Sequence, residues 1–208
     1  MDSTVATPVL TAPLVLGADI VMHAATKYLN GHSDLIAGVA VAREDSAYWQ
    51  AVRKVRAQLG ARSAASRPGC RSAACARCRC GCVRPVLRPN ESRRISPRRS
   101  ARERSAHPGL PGAAGHEVAK RQMKGGFGGM LSIRVRGGEA AAIATAANVQ
   151  LWKRATSLGG TESLVEHRAS VEGAGTPAPA DLLRLSVGLE HADDLIADLE
   201  QALARARA

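Results

Sequence analysis

Lys27 is the residue whose setting best suits it for covalent chemistry. It lies in His23-Ala24-Ala25-Thr26-Lys27-Tyr28-Leu29-Asn30-Gly31-His32-Ser33-Asp34, between a short apolar run and a small polar loop. An amine beside apolar residues loses hydration, which favours its neutral form, and a neutral amine attacks carbonyl carbon. Taken alone the signal is weak, because most lysines are solvated surface charges. Arg184 is the second candidate. It is flanked by apolar residues in Leu182-Leu183-Arg184-Leu185-Ser186-Val187-Gly188-Leu189-Glu190, and an unpaired arginine in such a strand is costly. It pairs either with an internal acid or, in two-point fashion, with a carboxylate such as that of an amino acid. Ser157 and Asp2 have ordinary explanations, a turn serine and a frayed, solvated acid.

The elements that must hold these residues are legible in outline. Ala18-Asp19-Ile20-Val21-Met22-His23 and Asp34 to Ala42 read as two short buried strands. Lys27 then occupies the loop between them, where α/β folds place their ligands. Residues 1–16 are a Pro- and Thr-rich loop leading into a short helix or turn. Residues 44–59 predict an amphipathic helix, with Trp49, Val52, Val55 and Leu59 on one face, acids first, bases last and Gly60 as the stop. Gly125-Gly126-Phe127-Gly128-Gly129 lacks the Lys-Ser/Thr ending of a nucleotide loop and leads into a strand at Met130 to Val135. Residues 138–154 predict a helix of small residues, 182–190 a strand, and 191–203 an amphipathic helix with an acidic first turn.

At 208 residues the chain holds one or two domains. Its charge is concentrated in one place. Of 29 basic and 18 acidic residues, thirteen arginines and two glutamates fall in 61–106, leaving sixteen of each sign elsewhere. All five cysteines lie there too, and no aromatic residue occurs between 50 and 126, so that segment offers little core. Met1-Asp2-Ser3 has no basic n-region, and no apolar run reaches membrane-spanning length. A soluble, cytoplasmic protein with no membrane partner is the default.

The long word Gly17-Ala18-Asp19-Ile20-Val21-x-His23-x-x-Thr26-Lys27-Tyr28-x-x-Gly31-His32-Ser33-Asp34 resembles the cofactor-lysine segment of the Cys/Met-metabolism family of pyridoxal-phosphate enzymes. That family includes cystathionine γ-synthase, the cystathionine lyases, methionine γ-lyase and the homoserine sulfhydrylases. The resemblance covers 2–60 and 107–208. It implies an α/β fold, the C-terminal part of a fold-type-I pyridoxal-phosphate-dependent transferase: the end of the large parallel-sheet domain (1–60) plus a small α+β domain (107–208). It implies pyridoxal 5'-phosphate as cofactor, an amino-acid substrate, a homo-oligomer of the family's tetrameric, dimer-built type, and β- or γ-elimination or γ-replacement on sulfur amino acids or acyl-homoserine. Carried over by position, Lys27 holds the cofactor covalently and later moves protons, Thr26 contacts its phosphate, and Asp2 pairs with its ring nitrogen. Ser157 and Arg184 hold the substrate carboxylate. Ala24 stands where the family usually has a phosphate-binding serine, and Val5 where it has an aromatic residue. If Asp2 is the ring aspartate, the chain begins within the cofactor domain, and the family's N-terminal half lies outside it.

Residues 61–106 resemble nothing in the family. Cys75-x-x-Cys78 with Cys80 and Cys82 could supply zinc ligands, but zinc sites usually pair two separated knuckles. An arginine-rich tract binds phosphate backbones without sequence preference, but no aromatic side chains are interleaved to stack on bases. A shifted reading frame explains more at once. In GC-rich coding DNA, CTG followed by C reads one base later as TGC, so a Leu/Arg/Gly-rich helix becomes Cys/Arg/Ala/Ser. Such a segment is never selected to fold. Translating the other two frames across this window is expected to yield a Leu-rich, family-like helix in one of them; its absence from both rejects the idea. Two alternatives to the enzyme follow, a catalytically inactive fragment of one and, more weakly, an Arg-rich nucleic-acid-binding protein.

Overall fold

The structure, a computed structural model, describes residues 1–60 and 102–207. The zinc, nucleic-acid and frame-shift expectations for the cysteine- and arginine-rich middle therefore fall outside the described residues. The last five residues of that segment are described as strand β3 (Arg102–Ala106), which the sequence reading places in an unfolded stretch. Strand pairing is a backbone property, so a polar sequence can add an edge strand where a neighbour offers a free ladder.

Two sheets carry the fold. β1 (Ile20–Ala24) and β2 (Gly38–Ala42) pair antiparallel, with Ile20 opposite Ala42 and Ala24 opposite Gly38, and Asp2 makes a parallel bridge to Met22. The second sheet has five strands in the order β3-β4-β7-β6-β5, with β4 at Met130–Val135, β5 at Lys153–Arg154, β6 at Leu164–His167 and β7 at Leu182–Ser186. β4 alternates, burying Leu131, Ile133 and Val135, as a half-covered strand should. Its cover is α4 (Gly138–Asn148) and α6 (Ala192–Arg205). Leu195, Leu199, Ala202 and Leu203 recur at helical spacing on α6 and are buried. The small residues Ala142 and Ala146 of α4 bury fully and let the helices approach closely. Each buried leucine here stabilises by roughly 1.5–3 kcal/mol. Three further helices are short: α1 (Thr7–Leu10), α3 (His116–Gln122) and α5 (Arg168–Glu172).

Three sequence expectations need correction. β2 is not a buried strand; Val41 is 42% exposed. β1 is its sole strand neighbour among the described residues, and a two-stranded ribbon leaves one flank open. The helix predicted over 44–59 forms as α2 (Ala47–Gln58), capped by the Ser46 hydroxyl, which accepts from Trp49 N at 3.2 Å. Its apolar face is open, with no fully buried residue. The helix predicted to run to 154 stops at Asn148, because Val149 is extended and Lys153–Arg154 pair with β6.

Asp198 on α6 explains that stop. Its carboxylate accepts the backbone N–H groups of Gln150 (2.8 Å), Leu151 (2.7 Å) and Trp152 (3.0 Å), and the Gln201 amide at 2.9 Å. Trp152, 2% exposed, donates its indole N–H to Leu195 O at 3.1 Å. Burial pushes the Asp198 carboxyl up, but the donations from Trp152, Gln150, Leu151 and Gln201 together outweigh it and hold the group below the usual carboxylate range. A depressed folded pKa stabilises above the unfolded value and is lost as pH falls through the folded one. Asp198→Ala is expected to cost roughly 2–4 kcal/mol in urea unfolding at pH 7, and the gap to wild type should narrow as pH falls below the usual carboxylate range. A gap unchanged on acidification would contradict this account.

Candidate active site

Lys27 lies in the loop between β1 and β2, and this loop is closed by its own polar groups. Thr26 Oγ1 accepts from Ala37 N at 3.0 Å and makes a long 3.4 Å donation to Ala37 O. Asn30 donates to Asp34 at 2.7 Å. Tyr28, fully buried, packs with Leu10 and Leu158. These contacts fix the backbone on both sides of the amine.

The loop is stitched to a second one, residues 155–163, between β5 and β6. Lys27 Nζ donates to Ser157 Oγ at 2.8 Å, Thr161 N to Gly31 O at 2.9 Å, and Ser33 Oγ to Glu162 at 3.1 Å. Ser157 adopts φ +102°, rare for a residue with a side chain. Such strain, of order 1–3 kcal/mol, persists where the surroundings over-determine it. Here Gly159 N donates to Ser186 Oγ at 2.9 Å and Leu189 N to Thr161 O at 2.7 Å, tying the loop to β7 and the residues after it.

Arg184 reaches the same loop from β7. Its Nη2 donates to Ser157 O at 2.9 Å and to Glu166 Oε2 at 2.5 Å. Glu166 stands directly opposite Arg184 on β6 and is 3% exposed. Its other oxygen takes Arg168 Nη1 at 2.5 Å, and Arg168 also pairs with Glu172 at 2.5 Å. The hydrogen bond it donates to Glu166 raises the Arg168 guanidinium above its ordinary value, whereas burial, outweighing the same acid, lowers that of Arg184.

Of the five residues singled out from sequence, the structure thus links Lys27, Ser157 and Arg184 in one chain of contacts. Thr26 adjoins the amine, with its hydroxyl turned to Ala37. Asp2 sits beside β1, its carboxylate accepting from Thr4 N at 2.8 Å, while Thr4 Oγ1 accepts from Ala24 N at 2.8 Å and anchors this corner to β1. The Thr4 hydroxyl and amide hold the Asp2 carboxyl below the usual range. Sequence reasoning missed Glu166, although an acid inside the apolar run Leu164-Val165-Glu166-His167 carries the same signal as Arg184 in its own strand. Two buried charges of opposite sign in neighbouring strands are each other's natural partners.

Residues 1–68 and 99–204 match the family model described as Cys/Met metabolism PLP-dependent enzyme, where PLP is pyridoxal phosphate. The chain is 41% identical to the cystathionine gamma-synthase of Mycobacterium leprae, over 98% of its own length and 53% of the relative's. It is 37% identical to the L-methionine gamma-lyase of Fusobacterium nucleatum subsp. polymorphum, again over 98% of this chain and 53% of the other. Cystathionine gamma synthase from Xanthomonas oryzae pv. oryzae, solved in complex with aminoacrylate and cysteine, superposes with a TM-score of 0.88 at 36% identity, covering 99% of this chain and 55% of that one. The chain spans about half the length of the curated relatives it matches. Among the described residues, no helix is long and apolar enough to cross a membrane.

Proposed function

The chain belongs to the Cys/Met metabolism family of PLP-dependent enzymes, and from that membership we propose that it serves pyridoxal-phosphate-dependent elimination or replacement at the β- or γ-carbon of a sulfur amino acid or an acylated homoserine. One observation carries the proposal. Lys27 Nζ and Arg184 Nη2 both bond to a single residue, Ser157, the first through its hydroxyl and the second through its carbonyl. An α-amino acid bears its amine and carboxylate on one carbon, so an amine-handling group and a carboxylate-binding cation this close match it at two points.

The residues present fit the cofactor in three respects. Lys27 offers a part-buried primary amine. Asp2, held anionic by Thr4, suits a protonated ring nitrogen. The 3.4 Å donation from Thr26 to Ala37 O is weak, so that proton is available to a phosphate oxygen, while Ala24 offers none. Bound pyridoxal phosphate supplies an aldehyde for amines and a ring that withdraws electrons from the substrate α-carbon. The chain's own residues do the rest. Lys27 provides the amine for attachment and, once free, takes the α-proton at Nζ. Ser157 Oγ holds that nitrogen in place, and Ser157 O turns the Arg184 guanidinium toward the substrate carboxylate. A cytoplasmic, homo-oligomeric setting for the complete enzyme belongs to the same proposal, carried by the family resemblance. The matches do not favour the alternative of a catalytically inactive fragment.

Absorbance tests the proposal. Adding pyridoxal phosphate to the chain should produce a bound-cofactor band that shifts when an amino acid is added. Arg184→Ala should keep the band and weaken the amino-acid response by roughly 10–100-fold, since a charge-assisted pair is lost. A wild-type chain with no band would overturn the proposal.

A further inference from the structure

The geometry around Arg184 points to a carboxylate site that is already partly taken by an internal acid. A two-point pairing of a carboxylate with a guanidinium uses Nη2 together with either Nη1 or Nε. In this chain Nη2 donates to both Ser157 O (2.9 Å) and Glu166 Oε2 (2.5 Å), while Nη1 and Nε take no acceptor among the described residues. The fork expected for the substrate is therefore half-occupied by an internal acid.

We infer that Glu166 is an affinity-setting residue: its side chain stands in for the substrate α-carboxylate on Arg184 and must yield Nη2 when substrate arrives. This rests on Arg184 being the substrate-carboxylate cation, as proposed above. Three observations carry it. Glu166 is 3% exposed and lies directly opposite Arg184 in the β6–β7 register, so it reaches the guanidinium without strain along the strands. It bonds the same nitrogen a carboxylate needs. Its second oxygen is held by Arg168 at 2.5 Å, so on displacement the buried charge keeps a cationic partner and is not stranded. Arg168 itself is shared with Glu172 at 2.5 Å, and the four groups, two cations and two anions, balance before substrate binds. An incoming carboxylate thus competes with an acid already bonded to Nη2 at 2.5 Å, which lowers the enzyme's affinity for any α-carboxylate.

Two variants give opposite signs. Glu166→Gln keeps the volume but removes the competing charge, and should tighten binding of carboxylate ligands on the order of tenfold. Arg168→Ala removes the partner that draws Glu166 away, leaving the acid to Arg184, and should weaken the same ligands several-fold; Arg168's side chain is 31% exposed, so the fold tolerates its loss. The probes are L-alanine and ethylamine, which differ by the α-carboxylate, titrated into the full chain loaded with pyridoxal phosphate and read by cofactor absorbance. Propionate, followed by NMR on the chain without cofactor, reads the arginine alone. The inference predicts that alanine and propionate tighten in Glu166→Gln and weaken in Arg168→Ala, with ethylamine unmoved. If both variants weaken alanine, Glu166 only orients Arg184, and the inference is wrong. If neither variant changes the alanine-to-ethylamine ratio, the network is merely structural, and it is equally wrong. A wild-type chain that binds alanine no better than ethylamine, with Arg184→Ala indistinguishable from it, would instead remove the carboxylate role of Arg184 on which the inference stands.

Discussion

Lys27→Ala should lose the bound-cofactor absorbance and lower any turnover at least 10²–10⁴-fold, the range expected from losing a positioned proton-transfer group alone. Loss of covalent attachment adds to this. The chain has five lysines, yet among the described residues Lys27 is the one whose amine bonds into the Ser157–Arg184 contact chain. Substitution at Lys153, exposed on β5, is the matched control and should leave the band intact. Because Lys27 is only part-buried and both flanking turns are held by backbone contacts, the variant should fold as wild type does. Circular dichroism checks that point, and a folded variant that retains the wild-type band would refute the role of this amine.

Gly159→Ala should be strongly destabilising, because the added methyl meets both an unfavourable backbone and a packed neighbour. Gly159 has φ +76°, and a Cβ there would lie 2.7 Å from Tyr28 N and 2.8 Å from its Cγ. The left-handed backbone costs a side chain about 1–2 kcal/mol, and forcing atoms into a packed site costs about 1–3 kcal/mol more. Tyr28 is fully buried and adjoins Lys27, so it cannot step aside without moving the amine. The expected result is a loss of roughly 2–5 kcal/mol in urea unfolding, together with weaker cofactor retention. Gly115→Ala separates the two costs. Its backbone is left-handed (φ +79°, ψ 7°) but nothing lies within 4 Å of the added carbon, so only the backbone part, about 1–2 kcal/mol, should appear and the cofactor should be unaffected. Equal losses at the two glycines would mean that the Tyr28 contact contributes nothing.

The fold was legible where local pattern and tertiary role agree. The alternation of Met130 to Val135 and the spacing of Leu195, Leu199 and Leu203 each specify a face, and each face is buried. The pattern failed where a distant side chain decides the backbone. Nothing in Val149-Gln150-Leu151-Trp152 says that Asp198, dozens of residues away, will collect three of its N–H groups and end the helix. Burial of β2 is not specified by its own residues, for a related reason. Its apolar composition describes a strand made to be covered, whereas cover depends on neighbours that the strand's own residues do not encode. At the site, Lys27 stood out through a long word, and Arg184 through the cost of a charge among leucines. What sequence could not give was their meeting at Ser157, 130 residues along the chain from Lys27, because the φ of +102° that turns hydroxyl and carbonyl to different partners is imposed by the surrounding loop. Glu166 carries the same sequence signal as Arg184, a charge inside an apolar run, and the two stand opposite each other on neighbouring strands.

Covalent trapping tests the central assignment most directly. The full chain is incubated with pyridoxal phosphate, reduced with borohydride, digested and mapped by mass spectrometry. The account predicts one modified peptide, carrying the pyridoxyl group on Lys27, and its absence when Lys27 is replaced by alanine. Label spread over the other lysines, or none at all, would contradict it.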